Sequence, residues 1–165
     1  MNKIYGATGR QDGLYKIGKN KWELIYGFWK DNPEDETGWN YRQRFTYKPT
    51  HDEILEIIKA QINADTDEKI LKGFKWEGKP VLIDNETQSN ITGVMANLPY
   101  LPEQAFPLQF KLGVYPDGTP SFHDFASAEE FSQFSVAGVN FKQQCYQDGW
   151  NAIQELDNIN FSEQE

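Results

Sequence analysis

The stretch Ser127–Leu156, SAEEFSQFSVAGVNFKQQCYQDGWNAIQEL, decides how the rest of the chain is read. Ser127 and Glu130 have the S-x-x-E spacing of a capping box, in which a hydroxyl and a carboxylate satisfy the orphan amides of a helix start. Phe131, Phe134, Gly138, Phe141, Cys145, Gly149, Ala152 and Leu156 then recur at three- and four-residue spacing, which marks one apolar helix face. Val139, Tyr146, Trp150 and Ile153 read as a widening of that stripe. An unbroken helix over this stretch is about 45 Å long at 1.5 Å per residue. Strands of five or six residues span only about 17–20 Å, so the helix outruns a small sheet. Either it breaks at Gly138 or Gly149, or it bends around the domain, or one end packs elsewhere. The N-terminal region and a second copy of the chain are both candidates for that packing.

Upstream, Leu108, Phe110, Leu112 and Val114 alternate as a strand does, and Pro116-Asp117-Gly118 supplies a turn in which Pro sets φ and Gly accepts φ > 0. Phe122 and Phe125 belong to the returning strand. Pro99–Pro107 reads as a loop, and Asn85 and Gln88 open a helix that carries Ile91, Val94, Met95 and Leu98. Phe74–Trp76 and Val81–Ile83 flank a tight hairpin turn. The C-terminal part, 73–160, is therefore expected to be ββαββα, with 161–165 a flexible tail.

The first fifty residues read as a small antiparallel β-meander. Within Trp39–Tyr47, the aromatic residues and Gln43 share one face, with Asn40, Arg42, Arg44 and Thr46 on the other. A second capping box, Thr50 and Glu53, precedes Ile54, Leu55, Ile57, Ile58 and Ile62. Residues 51–72 are expected to be a connecting helical segment, interrupted at Asn63–Asp65. The fold class is α+β.

The net charge of −9 is unevenly placed. Residues 1–72 balance twelve basic against twelve acidic side chains, whereas beyond them Lys75, Lys79, Lys111 and Lys142 oppose thirteen carboxylates. That sign disfavours nucleic acid and anionic membranes as partners. No apolar run approaches the roughly 18 residues of a spanning helix. The start, MNKIYGATGRQDG, lacks a signal peptide's apolar core, so a cytosol is the expected compartment.

The sequence offers no recognisable catalytic, cofactor or metal site. Its lone cysteine, Cys145, lies on the apolar helix stripe, where a thiol behaves as a small hydrophobe. His51 falls in a capping segment; His123 and Asp124 are strand neighbours and point to opposite faces. The acidic run Asp31–Glu36 fails the calcium-loop pattern at Pro33 and Glu36, and Asp65, Asp67 and Glu68 look ligand-like but read as acids that a helix dipole favours in a first turn. The aromatic set Trp22, Tyr26, Trp29, Trp39, Tyr41 and Tyr47 fits three readings: a sheet core, a protein-contact surface or a sugar-stacking face.

Several features recur in order: Gly73-Phe74, Trp76-Glu77-Gly78-Lys79-Pro80-Val81, Asp84–Gln88, Phe110-Lys111-Leu112, Pro116-Asp117-Gly118, Ser127–Phe131, and a last helix with Trp150, Ile153 and Leu156. In this order residues 54–159 resemble an uncharacterised domain family of bacteriophage and prophage tail genes, found in or beside tail-fibre proteins. The resemblance implies a virion-associated or assembly role, in a bacterial host's cytoplasm during assembly or in the tail itself. It supplies no catalytic residues. The expectation is a non-enzymatic structural protein that contacts other tail proteins or itself. Its candidate interface is Trp22, Trp29, Trp39, Tyr41, Phe141, Tyr146, Trp150 and Ile153. The alternative is a small glycan-binding module that uses the N-terminal aromatic residues.

Overall fold

A computed structural model of the chain describes residues 1–159, 161, 163 and 164. In chain order the elements are β1 (Asn2–Ala7), β2 (Gly13–Gly18), β3 (Lys21–Trp29), β4 (Gly38–Phe45), α1 (His51–Lys72), β5 (Lys75–Trp76) and β6 (Lys79–Pro80). Then follow α2 (Asn85–Asn97), two short 3₁₀ turns, β7 (Leu108–Val114), β8 (Pro120–Phe125), α3 (Ala128–Glu155), a third 3₁₀ turn and β9 (Glu163–Gln164). The class is α+β: an N-terminal antiparallel sheet, then helices and small sheets, then a long C-terminal helix. Two compact units divide the chain, one of residues 1–63 with 150–165, the other of residues 64–149. Both α1 and α3 therefore contribute one end to each unit.

The first unit is built on a sheet in the order β1-β4-β3-β2-β9. β1 to β4 pair antiparallel, whereas β9 joins β2 in parallel. Leu14, Trp22, Leu24, Tyr26, Tyr41 and Phe45 from the strands pack with Ile54, Ile58 and Ile62 of α1 and with Leu156 and Phe161. On β3 the other face buries Glu23, which takes Arg44 directly across the strand pair at 2.7 Å and Arg42 at 3.4 Å. A bulge between Tyr26 and Trp29 depends on Gly27, whose φ is +72°. A Cβ there would fall 2.0 Å from the Trp29 ring.

The second unit carries two hairpins, β5–β6 and β7–β8, with α2, the end of α1 and most of α3. Its core is aromatic. Phe125 lies 4.8 Å from Phe131 and 5.1 Å from Phe134 between ring centroids, and Phe110 lies 5.4 Å from Phe131.

Two boundaries differ from the sequence expectation, and the long final helix is as expected, with its open alternative of a break settled. Helix α1 runs unbroken through Asn63–Asp65, because Ile62 and Ile70 are both buried and continuity serves two cores. Helix α3 passes through Gly138 and Gly149 without a break. Gly149 is a contact rather than a stop: a Cβ there would meet Thr66 Oγ1 at 2.4 Å. The C-terminal segment also does not divide at residue 160. Leu156 and Phe161 are buried at 1% and 3% exposure in the first core, which places the end of the chain with the meander instead of with the ββαββα part. Within the expected flexible tail, Phe161 is core and Glu163–Gln164 is paired; Ser162 and Glu165, like Asn160, lie outside the described residues.

Replacing a buried Phe by Ala removes its transfer free energy and leaves a cavity. Phe161→Ala should therefore lower unfolding stability by about 3 kcal/mol in a urea titration, a loss that a flexible tail would not produce.

Candidate functional site

The structure sorts the eight residues of the expected interface. Trp22 and Tyr41 are buried, at 8% and 9% exposure, because they lie on the inward face of the first sheet; they are core residues and unavailable to a partner. Trp39 and Ile153 pack half-buried against the same core. Phe141 packs against the second core, with its ring 5.4 Å from that of Phe74. Trp29, Tyr146 and Trp150 remain exposed.

The N-terminal indoles pack on one another. Trp29 stacks on Trp39 at 4.7 Å, and Lys3 Nζ sits 4.0 Å from the Trp39 ring. Strand β4 lies between β1 and β3, so Trp39 is engaged from both neighbouring strands. Asp31 fixes the group by accepting from Trp39 Nε1 at 3.0 Å and from Lys3 at 3.2 Å. Those bonds, that from Lys3 first, hold its carboxyl below the usual aspartate range.

On α3 two exposed valines join Tyr146. Val136 and Val139 have more than half their surface open. At 3.6 residues per turn, Val136, Val139, Tyr146 and Trp150 cluster on one line, about 140° around the helix from Phe131, Phe134, Phe141 and Cys145. This is a second stripe, not a widening of the first. The inner stripe is core, and burial pushes the Cys145 thiol up.

The most organised polar cluster surrounds His123. Ser121, His123 and Phe125 face inward from β8, and His123 is 7% exposed. Its Nε2 lies 2.7 Å from Glu130 Oε1, and its Nδ1 lies 3.3 Å from Lys79 Nζ. An ammonium can only donate, so the Lys79 contact uses Nδ1 as its acceptor and leaves Nε2 to donate to the carboxylate. Lys79 also donates to the Phe122 carbonyl at 3.0 Å. Glu130 takes the Ala126 amide at 2.6 Å, while its own amide donates to Ser127 Oγ at 3.2 Å. The capping box is thus modified: the carboxylate bridges the helix start to β8. The bond from His123, then that from Ala126, lowers the Glu130 pKa. Glu77 completes the cluster, 3.9 Å from Nδ1, on a turn where it and Gly78 both have positive φ.

Ligand atoms of Glu77, His123 and Glu130 lie within 4.8 Å of one another. Even so, the set is poorly suited to a cation. A metal on Nδ1 would sit about 2.0–2.1 Å away, against the Lys79 ammonium, and Nε2 already donates to Glu130. Both ring nitrogens are used, so the cluster acts as a clamp between β8, β6 and α3. Sequence reasoning set His123 beside Asp124 and so missed Glu130. The inward alternation of Ser121, His123 and Phe125 was the available signal.

Among the described residues no helix is long and apolar enough to cross a membrane. The chain belongs to the DUF4376 family, a domain of unknown function, whose profile matches residues 53–164. No curated protein and no solved structure matches it.

The folded Glu130 carboxyl titrates below its ordinary 4.5, so its contribution to stability is complete above 4.5 and fades as the pH falls below that value. Glu130→Gln should cost about 1–3 kcal/mol at neutral pH and flatten the acid limb of the stability–pH profile. Chemical denaturation at stepped pH measures both.

Proposed function

We propose that the chain is a non-enzymatic assembly module of a phage or prophage tail, and that it works through protein–protein contact at the outward stripe of α3. The observation that carries this reading is the stripe itself. Val136 is 55% exposed, Val139 57% and Tyr146 46%, on a helix whose opposite face is fully used by the core. Scattered exposed apolar residues need no explanation, but an aligned row of them marks a contact surface. The tail setting rests on the ordered motifs from Gly73 to Leu156, and the family itself has no assigned function.

The spacing favours a second copy of the chain as the occupant. Ser132, Val136, Val139, Gln143 and Tyr146 follow a four-three-four-three rhythm, the a/d pattern of a coiled-coil seam. Gln143 provides the single long polar side chain within it, the kind of residue that fixes register at some cost in stability. The flanking positions Gln133, Ser135, Asn140, Lys142 and Gln147 include no carboxylate, although this part of the chain is strongly acidic. Like-charge repulsion therefore does not oppose pairing of the seam with itself. A glycan-binding role draws no comparable support from the stacked and half-buried indoles.

Sedimentation across a concentration series tests the reading. The wild-type chain should show a concentration-dependent rise in mass. Val139→Glu/Tyr146→Glu should remain monomeric with an unchanged melting temperature, since both sites are exposed. A wild-type monomer at every concentration, or a variant that associates as the wild type does, contradicts it.

A further inference from the structure

Between α2 and α3, inside the second unit, lies a cavity of about 310 Å³. Its walls include Phe74, Val81, Ile83, Met95, Phe134 and Val139, and its polar lining holds Thr92, Ser135 and the pair Gln88 and Lys142. Lys142 is half-buried, and its ammonium has one polar partner among the described residues, Oε1 of Gln88 at 2.9 Å. Gln88 is anchored in turn: its Nε2 donates to the carbonyls of Ile83 and Asp84, each at 3.3 Å. No carboxylate lines the cavity.

This composition stands out against its surroundings. From Gly73 onward thirteen acidic side chains face four lysines. Of those, Lys75 is exposed to solvent, Lys79 is held by His123 and the Phe122 carbonyl, and the charge of Lys111 acts on Asp84. Lys142 alone places a cation at the edge of an apolar chamber, paired with a neutral amide. An ammonium so placed gains a stronger, charge-assisted bond from an incoming carboxylate than it has from Gln88. The apolar walls would take up a hydrocarbon chain. At about 30 Å³ for each water-sized group, the chamber holds about ten such groups, which sets a short chain.

From this complementarity we infer a ligand site for a medium-chain aliphatic monocarboxylate, its chain in the cavity and its carboxylate on Lys142. The cavity shares Val139 with the outward stripe of α3, but binding in it needs no partner chain.

Calorimetric titration of the full chain with octanoate, 1-octanol and octylammonium tests it. Octanoate should bind best, with octanol about tenfold weaker and octylammonium weaker still. Lys142→Met should lower octanoate affinity about tenfold, the loss of one charge-assisted bond, and leave octanol unchanged. Thr92→Trp, at an exposed position of the rim, should weaken both by obstructing entry while preserving the melting temperature. The inference is overturned if octanoate does not bind the wild type, or if octanol or octylammonium binds as well. It is equally overturned if Lys142→Met leaves octanoate binding intact, or if Thr92→Trp affects neither ligand. Because these readouts involve only the small ligand, their failure leaves the sedimentation result untouched, and the reverse holds.

Discussion

A helix of 3.6 residues per turn cannot bury two apolar stripes about 140° apart against one hairpin layer. That constraint governs α3 and much of what surrounds it. The inner stripe carries Phe131, Phe134 and Cys145, and the aromatic core of the second unit closes over it. The outer stripe keeps Val136, Val139 and Tyr146 in solvent. A helix that served only to close its own fold would have polar residues there. Burial of the inner stripe fixes the rotation of α3, and with it the direction in which the outer stripe faces.

Other features hold that rotation. Gly149 lets Thr66 approach more closely than a side chain would allow, and Lys69 pairs with Asp148 at 3.0 Å beside it. At the helix start, Glu130 binds both its own cap region and His123 on β8. The exposed Lys69–Asp148 pair is worth little. The His123–Glu130 bond matters more, since breaking it leaves a buried imidazole donor unsatisfied.

Much of the fold was legible because the signals are local. The T-x-x-E and S-x-x-E caps each begin one residue before their helix, α1 and α3, Pro116-Asp117-Gly118 turns β7 into β8, and alternation along Leu108–Val114 marks a strand. The unit division was not legible, since it depends on Leu156 and Phe161 meeting strands more than a hundred residues earlier. Of the candidate interface, Tyr146 and Trp150 are exposed, on a second stripe that three- and four-residue spacing merges with the inner one. Val136 falls outside the three- and four-residue series of the inner stripe, so spacing alone does not mark it. Trp22 and Tyr41 were misjudged because an inward aromatic face and an exposed one have the same alternating pattern. The clamp at His123 joins residues from three elements, which no spacing rule connects.

Thiol accessibility along α3 tests the two-stripe account most directly, and the lone native cysteine makes it practicable. The native chain should resist alkylation at Cys145, because that thiol is 2% exposed and its pKa is raised. In a Cys145→Ser background, Val136→Cys, Val139→Cys and Tyr146→Cys should react in dilute solution at rates near that of a free thiol, while Phe134→Cys should be protected. Equal labelling of both sets, or a protected Val139→Cys in the dilute monomer, would contradict the claim that α3 turns one apolar stripe inward and leaves the other open for contact.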